Sequence, residues 1–131
     1  MKIFTVMKYW LIFLSFPIQA NNLVEAAKER LNHFVIYDGS YQKIDYPMGD
    51  VDENKGVCTD VIIRSYRALG IDLQKLVHED MKAHFDQYPQ IWGLKKPDSN
   101  IDHRRVPNLE VFFKRFGKAL PITKNAKDYK P

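Results

Sequence analysis

The sequence predicts a mostly helical domain of the α+β class. Four stretches carry apolar residues at helical spacing, and only one short stretch has the composition of a strand. The chain has 131 residues, which is enough for one domain at most, and 45% of them are hydrophobic, enough for a modest core. We therefore expect a single domain built mainly from helices, with little sheet.

The first twenty residues have the features of a secretory signal. Lys2 and Lys8 make the start basic, residues 9–16 form a short apolar run, and Ala20 supplies a small residue at the end. We expect cleavage after Ala20, a mature domain at 21–131, and a periplasmic or secreted protein. The apolar run is shorter than the roughly 20 residues that span a bilayer, so no stable membrane anchor is expected after cleavage. An uncleaved anchor is the alternative.

The net charge and the cysteine content limit the classes of function that the sequence is compatible with. Loss of Lys2 and Lys8 lowers the formal net charge from +4 to +2, and the remaining basic residues alternate with acidic ones. We therefore expect no nucleic-acid partner. Exported domains use cysteines mainly in disulfide pairs, whereas this chain has a single one, Cys58. A solitary cysteine is either packed in the core or kept unpaired for its chemistry.

The stretch before Cys58 combines a helix, a strand and a long loop. Apolar residues among charged ones predict a helix from 21 to about 33, and residues 34–37 form a candidate strand that ends in a turn at Asp38. Residues 41–55 have no steady period, and loops of that length tend to be functional or mobile. Tyr37, Tyr41 and Tyr46 are candidates to line a cleft beside Cys58, with Tyr46 as a substrate contact, or they simply attach the loop to the core.

Cys58 stands in the first turn of the central predicted helix. Thr59 and Asp60 are typical of helix starts, and Gly70 is a plausible end. Backbone N–H groups and the helix dipole at such a position favour a thiolate over a thiol, which makes cysteine a better nucleophile. The alternative is an inert buried cysteine, because Cys58 extends the apolar stripe of Val61 and Ile62.

Asp72 is expected to cap the next helix, whose apolar stripe includes Leu73, Leu76, Val77, Met81 and Phe85. Asp80 and His84 are four residues apart, so they can face one another. This pair is either half of a catalytic arrangement or, as we prefer, a satisfied structural pair. The histidines lack the spacing of a zinc-binding motif, so neither a metal nor another cofactor is expected.

The last third of the chain carries a charged run between two apolar residues. Residues 88–98 should be irregular, with Trp92 packed as their main apolar contact, and a final helix should start at Pro107 and end at Gly117 with Leu109, Phe112, Phe113 and Phe116 inward. Between them lies the run Asp102-His103-Arg104-Arg105. Its side chains are suited to recognise a carboxylate or to offer a histidine held by an acid, and we expect them near Cys58. A solvated turn is the alternative.

Three stretches resemble a bacterial exported family known as domain of unknown function 1287, related to the NlpC-type papain-like cysteine amidases and peptidases of cell-wall turnover. The resemblance runs from about residue 37 to 131. It is carried by Gly56-Val57-Cys58-Thr59-Asp60-Val61, by residues 72–81 and by Ile101-Asp102-His103-Arg104-Arg105-Val106-Pro107-Asn108-Leu109. It implies the helical N-terminal half of a papain-like fold. The antiparallel sheet of that fold, with its histidine, is expected beyond residue 131.

The resemblance implies acyl chemistry on a peptidoglycan peptide or another amide. Cys58 takes the nucleophile position, and His103 with Asp102 is the remaining choice for a base and its orienting group. Thr59, Asp60, Arg104 and Arg105, with Tyr46, are the expected substrate contacts. Because the histidine-bearing strand is expected elsewhere, we expect weak or no activity from these residues alone. The alternative is a cell-wall or protein-binding module without catalysis.

Overall fold

The computed structural model describes residues 20–130 and contains four α-helices and one small sheet. The expected signal at 1–20 therefore lies almost wholly outside the described residues. The helices are α1 (Ala20–Glu29), α2 (Cys58–Ala68), α3 (Leu73–Ala83) and α4 (Val106–Phe116), and the strands are β1 (Ile36–Tyr37) and β2 (Lys55–Gly56). Four short 3₁₀ turns cover Arg30–Asn32, Phe85–Gln87, Asp102–Arg104 and Ala126–Asp128. The α+β class with dominant helix is confirmed.

The core lies between α2, α3 and α4. Its buried members are Ile63, Leu73, Val77, Met81, Tyr88, Leu109 and Phe112. The predicted stripe of α3 is confirmed at Leu73, Val77 and Met81, although Leu76 is 42% exposed. Two other expectations were wrong: Ile62 is exposed while its neighbour Ile63 is buried, and Phe116 is exposed at the end of α4. The face of α2 that looks into the core is thus rotated away from Cys58.

Polar side chains and glycine set the helix ends as the sequence predicts. Asp72 accepts a hydrogen bond from the backbone N–H of Lys75 at 3.2 Å, which satisfies a donor that has no partner within the helix. Gly70 adopts a φ of 78°, a left-handed conformation that is readily available only to glycine. The turn between α2 and α3 is therefore tight, and it brings the two helices together.

The two strands are parallel, with Ile36 opposite Lys55 and Tyr37 opposite Gly56. The strand predicted at 34–37 exists at its second half, but the sequence analysis missed β2, since two residues are too few to show alternation. The antiparallel sheet of a papain-like fold is not seen among residues 20–130. The small sheet nevertheless positions the site, because β2 ends two residues before Cys58.

Buried polar side chains hold the long loop at 41–55. Arg64 donates to the carbonyl oxygens of Lys55 at 2.9 Å and Asp52 at 3.1 Å, and it pairs with the Asp50 carboxylate at 3.0 Å. Gln74 is fully buried, accepts from the N–H of Gly49 and donates to the carbonyl oxygen of Asp45, both at 2.8 Å. Because its backbone groups are satisfied from α2 and α3, this loop is a fixed wall rather than a loose connection.

Candidate functional site around Cys58

Cys58 is the first residue of α2, and its side chain is exposed and in no disulfide. It opens into a cleft of about 410 Å³, which we name the Cys58 cleft and which is lined by Tyr37, Gly39, Tyr41, Val57, Cys58, Ile101, Arg104 and Arg105. The alternative of a cysteine buried in the core is therefore wrong. The stripe that Cys58 shares with Val61 and Ile62 is real, but it faces outward: Val61 is 47% and Ile62 40% exposed.

The backbone at the start of α2 exposes the Cys58 thiol to solvent and buries the two residues that follow it. Val57 is extended, with φ −125° and ψ 177°, and the next residues after Cys58, Thr59 and Asp60, are only 2% and 3% exposed. No acceptor among the described residues binds the backbone N–H groups of Cys58 or Thr59, as is usual in the first turn of a helix. These donors lie beside the sulfur and are suited to bind a negatively charged oxygen.

The side chain of Asp60 stabilises the start of α2. Its carboxylate accepts the backbone N–H of Val57 at 2.7 Å, which is half of a capping box. The same carboxylate receives the fork of Arg104, with Nε to Oδ1 at 3.0 Å and Nη2 to Oδ2 at 2.9 Å. Both side chains of this ion pair are 3% exposed. The pair therefore joins the cysteine turn to the 3₁₀ turn at Asp102–Arg104.

Two further details tighten the same junction. The hydroxyl of Thr59 donates to the carbonyl oxygen of Arg104 at 2.8 Å. At Gly56, an added Cβ would lie 3.0 Å from Oδ2 of Asp60, so any side chain there would push against the carboxylate that holds the helix start. Thr59, Asp60 and Arg104 thus form hydrogen bonds with one another. They were expected from the sequence to contact substrate.

The charged run is not a solvated turn, because Asp102, His103 and Arg104 are buried. Asp102 accepts hydrogen bonds from the backbone N–H of Asp98 and from Arg105, the latter at 3.3 Å. Burial raises the pKa of Asp102 above its ordinary value, against the opposing effects of these donors. Asp102 therefore serves the packing of its own turn.

His103 is 2% exposed and does not line the Cys58 cleft. Its Nδ1 atom is buried without a hydrogen-bond partner among the described residues, and no hydrogen bond joins it to Asp102. Burial, followed by the nearby Arg104 guanidinium, lowers the pKa of His103 to about 4. The structure thus brings Arg104 and Arg105 to the cysteine, but it does not assemble the expected cysteine, histidine and aspartate.

Tyr37 and Tyr41 line the Cys58 cleft, whereas Tyr46 packs edge-on against His78 with ring centroids 5.1 Å apart. Arg105 lies over the ring of Trp92 at 4.1 Å, so its guanidinium is held in place at the cleft. The sequence analysis missed Gly39 as a wall residue. The sequence indicated only a turn there, beginning at Asp38, and a turn carries no signal for a cleft wall.

The pair formed by Asp80 and His84 exists, with Nδ1 of His84 3.1 Å from the carboxylate. The same carboxylate accepts the Tyr88 hydroxyl at 2.7 Å and two nitrogens of Arg115 at 2.7 and 3.0 Å. Burial opposes ionisation of Asp80, but the hydrogen bonds from Arg115 and Tyr88 prevail and lower its pKa. This network joins α3 to α4, as our preferred structural interpretation requires.

We expect Cys58 to react with iodoacetamide in the native protein, since its side chain is exposed. Intact-mass spectrometry should find one adduct per chain without denaturant, and the Cys58→Ser variant should show none. Labelling that appears only after addition of urea would mean that the thiol is covered in solution.

No described helix is long and apolar enough to cross a membrane. Among residues 20–130, no three cysteine, histidine or acidic side chains group as metal ligands do.

Comparison with known proteins identifies relatives by sequence. The family described as Domain of unknown function (DUF1287) matches residues 24–131. The protein of Escherichia coli (strain K12) named Uncharacterized protein YijF is 52% identical over 115 residues, which cover 86% of this chain and 56% of that protein. The chain therefore spans little more than half the length of this curated relative. No solved structure matches.

Proposed function

The chain belongs to the DUF1287 family, and on that premise we propose that it is an exported cysteine amidase or peptidase of the NlpC-like type, acting on peptidoglycan peptides in the periplasm or outside the cell. The observation that carries the proposal is the exposed Cys58 at the start of α2, in a cleft walled by aromatic and arginine side chains. Export is supported by the composition of residues 1–20.

The reaction proceeds in two steps. The sulfur of Cys58 bonds to the carbonyl carbon of the amide, the C–N bond breaks, and the amine leaves with the thiol proton, so that a thioester remains. Water then attacks the thioester, releases the carboxylic acid and returns the proton to sulfur. In both steps the backbone N–H groups of Cys58 and Thr59 stabilise the oxyanion.

The surrounding residues divide into those that touch substrate and those that position the cysteine. Tyr37, Tyr41 and Arg105 face the cleft and contact the substrate. Asp60 and Arg104 are positioning residues, because their charged atoms are buried against one another. A displacement of the reacting sulfur by about 1 Å can cost on the order of 10²-fold in rate, so this junction matters for catalysis as well as for folding.

Turnover by this chain should be slow. No histidine among the described residues lines the Cys58 cleft, and His103 is buried with its pKa near 4. A positioned general base contributes typically about 10²- to 10⁴-fold. The chain therefore has a nucleophile and an oxyanion site, but its described residues supply no base at the sulfur.

The test is Cys58-dependent cleavage of purified peptidoglycan peptides, followed by mass spectrometry of the new termini over long incubations. The account predicts slow product formation that falls to the protein-free background in both Cys58→Ala and Cys58→Ser. Equal product from the wild type and from Cys58→Ala would overturn the proposal.

A second candidate is a non-catalytic module that binds cell-wall peptides or a protein. It is favoured by the same cleft wall. Arg105 lies over Trp92 and binds Asp102 through Nη1 at 3.3 Å, and its guanidinium has further N–H donors for a peptide carboxylate, while no histidine among the described residues lines the cleft. This candidate predicts saturable peptide binding that Cys58→Ala leaves unchanged and Arg105→Ala weakens, with no cleavage by the wild type.

A further inference from the structure

A second and larger cavity adjoins the Cys58 cleft, and Tyr41 lines both. This cavity, which we name the outer pocket, has a volume of about 680 Å³, and its polar wall includes Tyr41, His78, Lys95, Lys96, Asp98 and Asn100. The two cavities therefore share a wall at Tyr41, which places the outer pocket next to a ligand in the Cys58 cleft. The charges of the residues that line the outer pocket determine which chemical group of a ligand can bind there.

The one carboxylate in this wall is already satisfied. Oδ2 of Asp98 accepts the Tyr41 hydroxyl at 3.0 Å, and Oδ1 accepts both the backbone N–H and the side-chain amide of Asn100 at 2.9 Å. Burial opposes ionisation of Asp98, but the bonds from Asn100 and Tyr41 prevail and lower its pKa. The side-chain oxygen of Asn100 in turn accepts the N–H of Ile44 at 2.9 Å. The floor of the outer pocket is thus a closed hydrogen-bond network that joins two loops.

The cations of the wall, in contrast, are not neutralised. Lys95 and Lys96 are exposed, and neither forms an ion pair within residues 20–130. Across Tyr41, on the side of the Cys58 cleft, Arg105 is paired with Asp102 at 3.3 Å, so it is not a further unpaired cation, although its field acts on both Tyr41 and Asp98. Two lysines above a polar floor whose acceptors are occupied form a surface that attracts an anion and has few acceptors left for a cation.

We propose that the outer pocket is a subsite for a carboxylate of the ligand whose amide lies at Cys58, with Lys95 and Lys96 as its charge partners. The substrate class is therefore a peptide or amide that bears a free carboxylate close to the bond presented to sulfur. This inference rests on the proposed function for the direction of the ligand, but the binding itself does not depend on cleavage.

The test measures binding to the full chain carrying Cys58→Ala, so that no turnover interferes. The probes are N-acetylated tetraalanine amides in which glutamate or glutamine replaces each alanine in turn, titrated by calorimetry at low salt. At one position glutamate should bind about tenfold more tightly than glutamine, the size expected of a charge-assisted contact. Lys95→Gln with Lys96→Gln should abolish that preference. Lys82→Gln with Lys124→Gln, which removes the same charge from exposed lysines outside both cavities, should keep it.

Three results would overturn the subsite: no preference for glutamate at any position, equal loss of preference in the two double variants, or no saturable binding of any probe. The first two results would leave the nucleophile proposal standing if Cys58-dependent cleavage is seen. Conversely, a lysine-dependent preference for glutamate without any cleavage would support the carboxylate subsite and contradict the proposed enzymatic activity.

Discussion

Replacement of Asp60 by alanine is expected to lower the free energy of unfolding by about 3–5 kcal/mol, the cost of leaving one member of a buried ion pair without its partner. Arg104 would keep its charge at a position that is 6% exposed, and the N–H of Val57 would lose its acceptor. Urea denaturation followed by circular dichroism measures the change. Glu110→Ala, an exposed acidic residue on α4, is the matched control and should change the free energy by less than about 0.5 kcal/mol.

A double variant separates the charge from the packing. Asp60→Leu combined with Arg104→Met removes both charges, so it should be clearly more stable than Asp60→Ala alone. A cost below about 1 kcal/mol for Asp60→Ala would mean that the pair is solvated in solution and does not fix the start of α2.

Acidification from pH 7 to pH 4 is expected to remove about 3 kcal/mol of stability through His103 alone. In the folded protein burial, and then Arg104, lower its pKa to about 4, whereas in the unfolded chain it titrates near 6.5. Between these two values the unfolded state binds a proton that the folded state does not, so stability is full above pH 6.5 and falls as the pH drops towards 4. Arg67 lowers the pKa further, while Asp60 and Asp72 act against this.

Urea titrations at half-unit pH steps measure this slope. His103→Gln should flatten the part between pH 6.5 and 5, even if it lowers stability at every pH. A His103→Gln variant with the wild-type slope would show that His103 is protonated freely in the folded protein.

The helices could be predicted from the sequence because their signals are local. Asp72 and Gly70 mark helix ends by their own chemistry, and the stripe of α3 repeats often enough to define its buried face. The face of α2 could not be assigned correctly in this way. Cys58, Val61 and Ile62 form a valid apolar stripe, yet the core takes Ile63 instead, because Asp60 and Arg64 find buried partners on that side.

The sequence identified residues of the candidate site, but it did not predict what each of them does there. The sequence indicated that Cys58 and the run at 102–105 are special, and the structure does place Arg104 and Arg105 at the cleft. It did not reveal that Arg104 is bound to Asp60, since a pair 44 positions apart leaves no local pattern. The same holds for β2, whose two residues become a strand only through pairing with β1.

The most direct test of the account is the acylation of Cys58 itself. An N-acetyl dipeptide p-nitrophenyl ester acylates sulfur without a general acid, because its leaving group departs as the phenolate while the thiol proton goes to solvent. Deacylation should be slow, because no base is present at the sulfur to activate water. Acid quenching followed by intact-mass and peptide mapping should find one acyl group per chain on Cys58. The Cys58→Ala variant should remain unmodified. Acylation spread over lysines, with Cys58 unmodified and wild type and variant equally labelled, would contradict a nucleophile at the start of α2.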